Sequence, residues 1–427
     1  MSRVRRYRWL ALVGVVGVFA TACGGESTPI DDSTVTVFGP YTGTEADRFA
    51  EAIDDFEQST GIEVAYTGSL DFVSDLRQRA IGNQRPDVAI VPQPGVVDAL
   101  IDSGTLAPLD AETAETVSEA FDDAALEATP WNLRFTVPYR SNVKSLVWFR
   151  PEVFTANAWT EPRTLEELYA LVDDIEDEGS MSPWCFSVFA GSATGWPATD
   201  WIEDLVLRRS GAEVYEQWAK GEFSWTRPEI REAFREFREL VVDGSRSAGG
   251  LRAVLQTEVS TTSTPLFADS PGCAMYKQAS FAEDWFPADT TIGPDADVDY
   301  FALPSTSADA IDLVTAGDAA VAFDDRPNIH RFMAFLASAD GGRAWADDGG
   351  FVSRRTDVDV DEYYTDVDAG VVELLQTGAT TRFDASDTLP AEVGSDLLWQ
   401  QITSWIDGSL TLDDLLVSID EALDIEL

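Results

Sequence analysis

Three of the chain's thirteen tryptophans fall in the stretch Pro183-Trp184-Cys185-Phe186 and Gly195-Trp196-Pro197-Ala198-Thr199-Asp200-Trp201. A Trp-Pro pair after glycine, at the entrance of a helix beginning near Trp201, fixes an aromatic plate on a loop beside a carboxylate, Asp200. Flat rings combined with a few convergent polar groups suit small polar ligands that carry an apolar face, sugars above all. The competing reading is plain core packing, the ordinary fate of tryptophan.

Other chemistries fit the residues less well. His330 is the sole histidine and lies inside a helical pattern, and no nucleophile elbow accompanies it. A secreted glycan-active enzyme needs only two carboxylates at the right separation, so it stays as a rival class. Asp357, Asp359, Asp361 and Asp368 echo a calcium loop, but Glu362 stands where that loop requires glycine. An acidic surface loop is the reading adopted, with no metal and no cofactor.

The chain that must position these groups has 427 residues, too many for one core, so two domains are expected. Its formal net charge is −47, with 29 basic residues against 76 acidic ones. Such a field repels nucleic acid and anionic headgroups and favours a neutral or cationic small ligand. It also reads as a solvated, halophilic-type acidic surface.

Residues 1–22 read as an export signal: Arg3, Arg5, Arg6 and Arg8 precede an apolar run from Trp9 to Ala22, shorter than the ~20 residues a spanning helix needs. The run ends Ala20-Thr21-Ala22-Cys23-Gly24, which resembles a bacterial lipoprotein cleavage signal, with Cys23 as the lipidated first residue. Residues 23–33 are small and polar and read as a tether. Removing the leader leaves 25 basic residues against 76 acidic, a net of −51. The remaining cysteines, Cys185 and Cys273, form a disulfide in an exported protein, the alternative being two buried thiols.

From Thr34 the apolar pattern alternates between strand and helix. Thr34–Phe38, Ile62–Tyr66 and Pro86–Val91 read as strands, and a helix opens at Thr44, capped by it, with Phe49, Ile53 and Phe56 on one face. This alternation predicts an α/β fold with a parallel sheet covered on both faces. Ligands then bind at the carboxyl ends of the strands, where Tyr41, Asp71 and Gln93 lie. A second alternating region follows from Pro162, and the tail reads as two helices, Ser395–Trp405 and Leu412–Leu423.

Several segments in order resemble one family: Val137-Pro138-Tyr139 with Lys144–Phe149; Gly195-Trp196-Pro197; Gly272–Met275; Phe351-Val352-Ser353; and Phe383–Asp387 with Leu389-Pro390. The mature chain is similar to the extracellular solute-binding proteins of bacterial ABC sugar importers, in the maltose- and α-glucoside-binding group. The resemblance implies the two-lobed periplasmic-binding-protein-like fold, with strands crossing near 139–146 and 299–316 and a ligand cleft between lobes. Lobe one is then 33–140 plus 312–349, and lobe two is 141–311 plus 350–427. It further implies aromatic stacking on sugar rings by Trp196, by Phe281 (where the family often has tryptophan) and by Trp399. Polar contacts fall to Tyr41, Asp71 and Gln93 from the first lobe and to Asp200 and Asp384 from the second. The expected protein is a non-enzymatic, monomeric receptor, held by its lipid on the outer face of the cytoplasmic membrane. It hands a sugar to ABC permease subunits. A receptor of the same fold for a cationic solute is the alternative.

Overall fold

The computed structural model describes residues 33–425, apart from 82–83, 123–124, 127–128 and 377. The leader, Cys23 and nearly all of the tether lie outside the described residues. The strands are β1 (Thr34–Gly39), β2 (Glu63–Gly68), β3 (Val88–Val91), β4 (Thr136–Val143) and β5 (Leu146–Phe149). They continue with β6 (Ser182–Trp184), β7 (Cys273–Lys277), β8 (Asp299–Ala302), β9 (Asp312–Ala322) and β10 (Thr380–Phe383).

They form two sheets, one of six strands and one of four. In the first, β2, β1 and β3 are parallel neighbours, as strand–helix alternation requires. β3 is a short, fully buried Val-Ala-Ile-Val run, the composition of a strand covered on both faces. β9 lies antiparallel to β3 and also pairs with β4 and β10. The second sheet runs β6-β7-β5-β8.

The chain passes between the sheets where β4 gives way to β5 across Lys144-Ser145, and again between β8 and β9. These passages lie where strands were expected to cross. The stretch 350–427, expected in the second lobe, sends β10 to the first sheet beside β9. Its downstream residues Ala385, Leu389, Val393 and Leu398 pack instead with the core of the second sheet.

Local details differ from the sequence expectation in instructive ways. Thr44 does not cap its helix: Gly43 precedes the first turn and its carbonyl accepts the Asp47 N–H at 3.1 Å. The helix expected near Trp201 begins at Trp196, with Pro197 in its first turn, where a missing N–H does no harm. Trp184 and Trp201 are core, packed edge to face at 4.8 Å, so of the opening stretch only Trp196 borders open space. Beside them Cys185 and Cys273 are joined as a disulfide, Cα atoms 5.4 Å apart, tying the end of β6 to β7. Three carboxylates of the calcium-like pattern are otherwise engaged. Asp357 pairs with Arg355 at 2.7 Å, Asp359 caps Val360–Tyr363, and Asp368 accepts the Gly350 N–H at 2.9 Å.

Candidate functional site

A cleft of about 380 Å³ opens beside the crossing strands, within the ~300–1,000 Å³ span of small-molecule sites. Its walls come from loops after β1, β2 and β3, from β4 and β9, and from the elements carrying Trp196, Phe281 and Trp399. Tyr41, Gln93, Trp196, Phe281 and Trp399 all line it.

One wall is aromatic. Trp196 and Phe281 meet edge to face at 6.2 Å, and Phe281 packs on Trp285 at 5.1 Å. Trp399 is buried on the same side, its indole Nε1 lacking a protein partner. Gly195 makes this arrangement possible. Its φ of 122° is hostile to other residues, and a Cβ there would stand 2.4 Å from the Trp399 carbonyl oxygen.

The opposite wall is polar. Gln93 enters the cleft at the end of β3 with its Oε1 unpartnered, as is Asn142 Oδ1 on β4. Tyr41 donates its hydroxyl to Asp318 at 2.9 Å, and its buried ring packs on Phe49 and Trp345 at 5.6 and 5.1 Å. Burial pushes Asp318 up to about 6 despite the nearby Arg140 guanidinium. Arg140 donates to Glu45 at 2.7 Å, pairs through Nη2 with the buried Asp284 carboxylate at 3.6 Å and lies 4.5 Å over the Trp345 ring.

Three expected residues do not line the cavity. Asp71 sits at the mouth, accepting the Ser192 N–H at 3.1 Å and so bridging the two walls. Asp200 and Asp384 are buried behind the floor, where both hold the Lys144 ammonium, at 2.9 and 2.7 Å. Asp384 also caps the turn Ala385–Thr388 through the Asp387 N–H. Burial raises Asp200 to about 6, with Lys144 opposing it. Burial acts the same way on Asp384, but Lys144 and the hydrogen bonds from Ser386 and Asp387 outweigh it and hold that carboxyl low. For Lys144 itself burial opposes the charge, and the surrounding carboxylates overcome it, raising the ammonium well above its ordinary value.

Sequence reasoning missed Glu45, Arg140, Asn142, Lys144, Asp318 and Asp387, all on the cleft surface. A signal existed for three of them. Arg140, Asn142 and Lys144 alternate along β4 and just past its end, and alternation on a strand puts such residues on one face.

A cleft between two α/β layers, aromatic on one wall and lined with unpartnered polar atoms on the other, has the make-up of a small-molecule site. The sequence matches the model of the bacterial extracellular solute-binding protein family over residues 42–343. The chain belongs to that family. This solute-binding protein is 33% identical to the osmoprotective compounds-binding protein GgtB of Synechocystis sp., over 92% of this chain and 93% of that one. It is also 33% identical to the alpha-glucosides-binding periplasmic protein AglE of Rhizobium meliloti, over 89% and 85%. Among solved structures it superposes on a chitin oligosaccharide binding protein with a TM-score of 0.76 at 16% identity, covering 92% of this chain and 98% of that one. Maltose-bound MalE3 of T. maritima follows the same fold, with a TM-score of 0.70 at 18% identity, over 92% and 99%.

Proposed function

We infer that this solute-binding protein captures a neutral sugar, an α-glucoside or short oligosaccharide, in the cleft and delivers it to the permease of an ABC importer. The observation that carries the reading is the pairing of the Trp196–Phe281 plate with the unpartnered amide oxygens of Gln93 and Asn142 across the cavity. Sugar C–H faces lie on aromatic rings, while hydroxyls both donate and accept, which this mixed set of groups demands. The names of GgtB and AglE point the same way.

The ligand acts by favouring the state in which both walls touch it. Asp71 with Ser192, and Arg77 with Asp396 at 2.5 Å, join the two sides of the mouth in the present arrangement. Cys23 carries the lipid that holds the mature monomer at the outer membrane face, and the acidic surface suits concentrated salt.

A thermal-shift series on the mature chain in molar salt tests this, with maltose, trehalose, sucrose, longer α-glucans, spermidine and divalent cations. Binding to the folded state alone must raise the melting temperature. A saturable rise with one sugar class is expected. A rise with spermidine or a cation and with no sugar would move the function to the cationic alternative.

A further inference from the structure

We propose that Asp387 is a specificity-determining residue that reads the deepest polar group of the ligand from the floor of the cleft. The proposal rests on the sugar-capture reading above and names the side chain that sets which sugar fits.

Five carboxyl residues line the cavity: Glu45, Glu258, Asp318, Asp387 and Asp396. Glu45 is engaged by Arg140, Asp318 by the Tyr41 hydroxyl and Asp396 by Arg77. Glu258 is only half-buried. Asp387 differs from all four. It is 6% exposed, and among the described residues its carboxyl oxygens accept no hydrogen bond. Its oxygens face the cleft without a protein partner among the described residues, so they are free to meet a ligand hydroxyl.

The group is also held in place. Its own N–H donates to Asp384 at 3.0 Å, and Asp384 is fixed in turn by Lys144 and by the Ser386 hydroxyl at 2.8 Å. Behind it the helix Trp196–Ala219 presents Asp200 and Glu203, and β9 presents Asp318. Lys144, from the link between β4 and β5, is the cation among them. Burial first, then the negative Asp384, push the Asp387 carboxyl well above the ordinary range, with Lys144 opposing. That shift favours the protonated acid, which offers both an O–H and a C=O. A neutral acid of this kind can donate to a hydroxyl or ring oxygen and accept from a neighbouring hydroxyl, without placing another net charge in the cleft.

The test is titration calorimetry with maltose, trehalose and sucrose on wild type, Asp387→Asn and Asp387→Ala, with a melting curve for each. Asparagine keeps a donor and an acceptor in nearly the same shape, so it should bind within about threefold of wild type. Alanine should bind at least about tenfold more weakly while melting as a folded protein. Raising the pH should weaken wild-type binding as Asp387 gives up its proton, and should leave Asp387→Asn unchanged. Should alanine unfold the chain, the asparagine variant and its pH series still decide. A folded alanine variant with wild-type affinity would overturn the proposal, and so would an asparagine variant as weak as alanine. Wild type that binds none of the three sugars would instead sink the capture reading, and this proposal with it.

Discussion

Replacing Trp196 with alanine separates binding from folding. The indole begins a helix set by Gly195 and Pro197, both backbone features the substitution leaves intact. Its ring is half-buried, facing Phe281 on one side, with the Lys144 ammonium 5.2 Å from its centre. Losing the cation–π contact at such a site costs about 0.5–1 kcal/mol, and the ammonium keeps both of its carboxylate partners. Stability should therefore fall by about 1 kcal/mol. The effect on a stacked sugar is larger. An aromatic contact contributes about 0.5–1.5 kcal/mol beyond the apolar area it covers, so truncation should cost about 1–3 kcal/mol, or roughly 5- to 150-fold in Kd. Calorimetric titration on protein whose melting curve is within a few degrees of wild type reads both quantities. Trp196→Phe should recover part of the loss. Unchanged affinity in a folded alanine variant would refute the stacking role, and a loss of affinity matched by unfolding would reduce Trp196 to packing.

Two further outcomes concern stability. Burial raises Asp200, Asp318 and Asp368 to about 6 and Asp284 to about 7, all from an ordinary 3.8. Between these limits the folded state binds protons that the unfolded chain does not, so this stability is full below about pH 4 and is lost as pH rises through about 6–7. At the extreme the first three are worth about 3 kcal/mol each and Asp284 about 4, and the melting temperature should be higher at about pH 5 than at about pH 8. The opposite trend would mean that these carboxyls are ionised in the fold. The Cys185–Cys273 bond closes a sequence separation of 88, and on the chain-entropy account its reduction should cost about 4–5 kcal/mol. Melting with and without a reductant, against a Cys185→Ala/Cys273→Ala control, measures it; identical curves would mean that the bridge adds nothing.

The fold and much of the cleft were legible in the sequence because periodicity and the order of segments are chain-local signals. Tyr41 and Gln93 follow from strands that end in loops, and Trp196, Phe281 and Trp399 from their place in the family pattern. Asp200 and Asp384 show the limit. Each lies within a few residues of a cleft-lining group, but one turn of backbone decides which carboxyl faces in. Asp384 spends its oxygens on capping and on Lys144, and Asp387, three residues on, faces the cavity. Likewise β10 is four residues long and carries no mark that it pairs with β9. The bond from Ser192 to Asp71 joins residues 121 apart and exists only in the assembled molecule. Gly195 was visible as a turn residue, but its closeness to Trp399 was not.

The central claim is that one neutral sugar is held between the aromatic wall and the polar wall of this cleft. Isothermal titration of the mature, lipid-free chain with the sugar giving the largest thermal shift tests it most directly, run beside a spermidine control. Saturable binding of one sugar per chain is expected, weakened by Trp196→Ala and absent for spermidine. Binding of spermidine without any sugar, or sugar binding that Trp196→Ala and Asp387→Ala both leave intact, would contradict it.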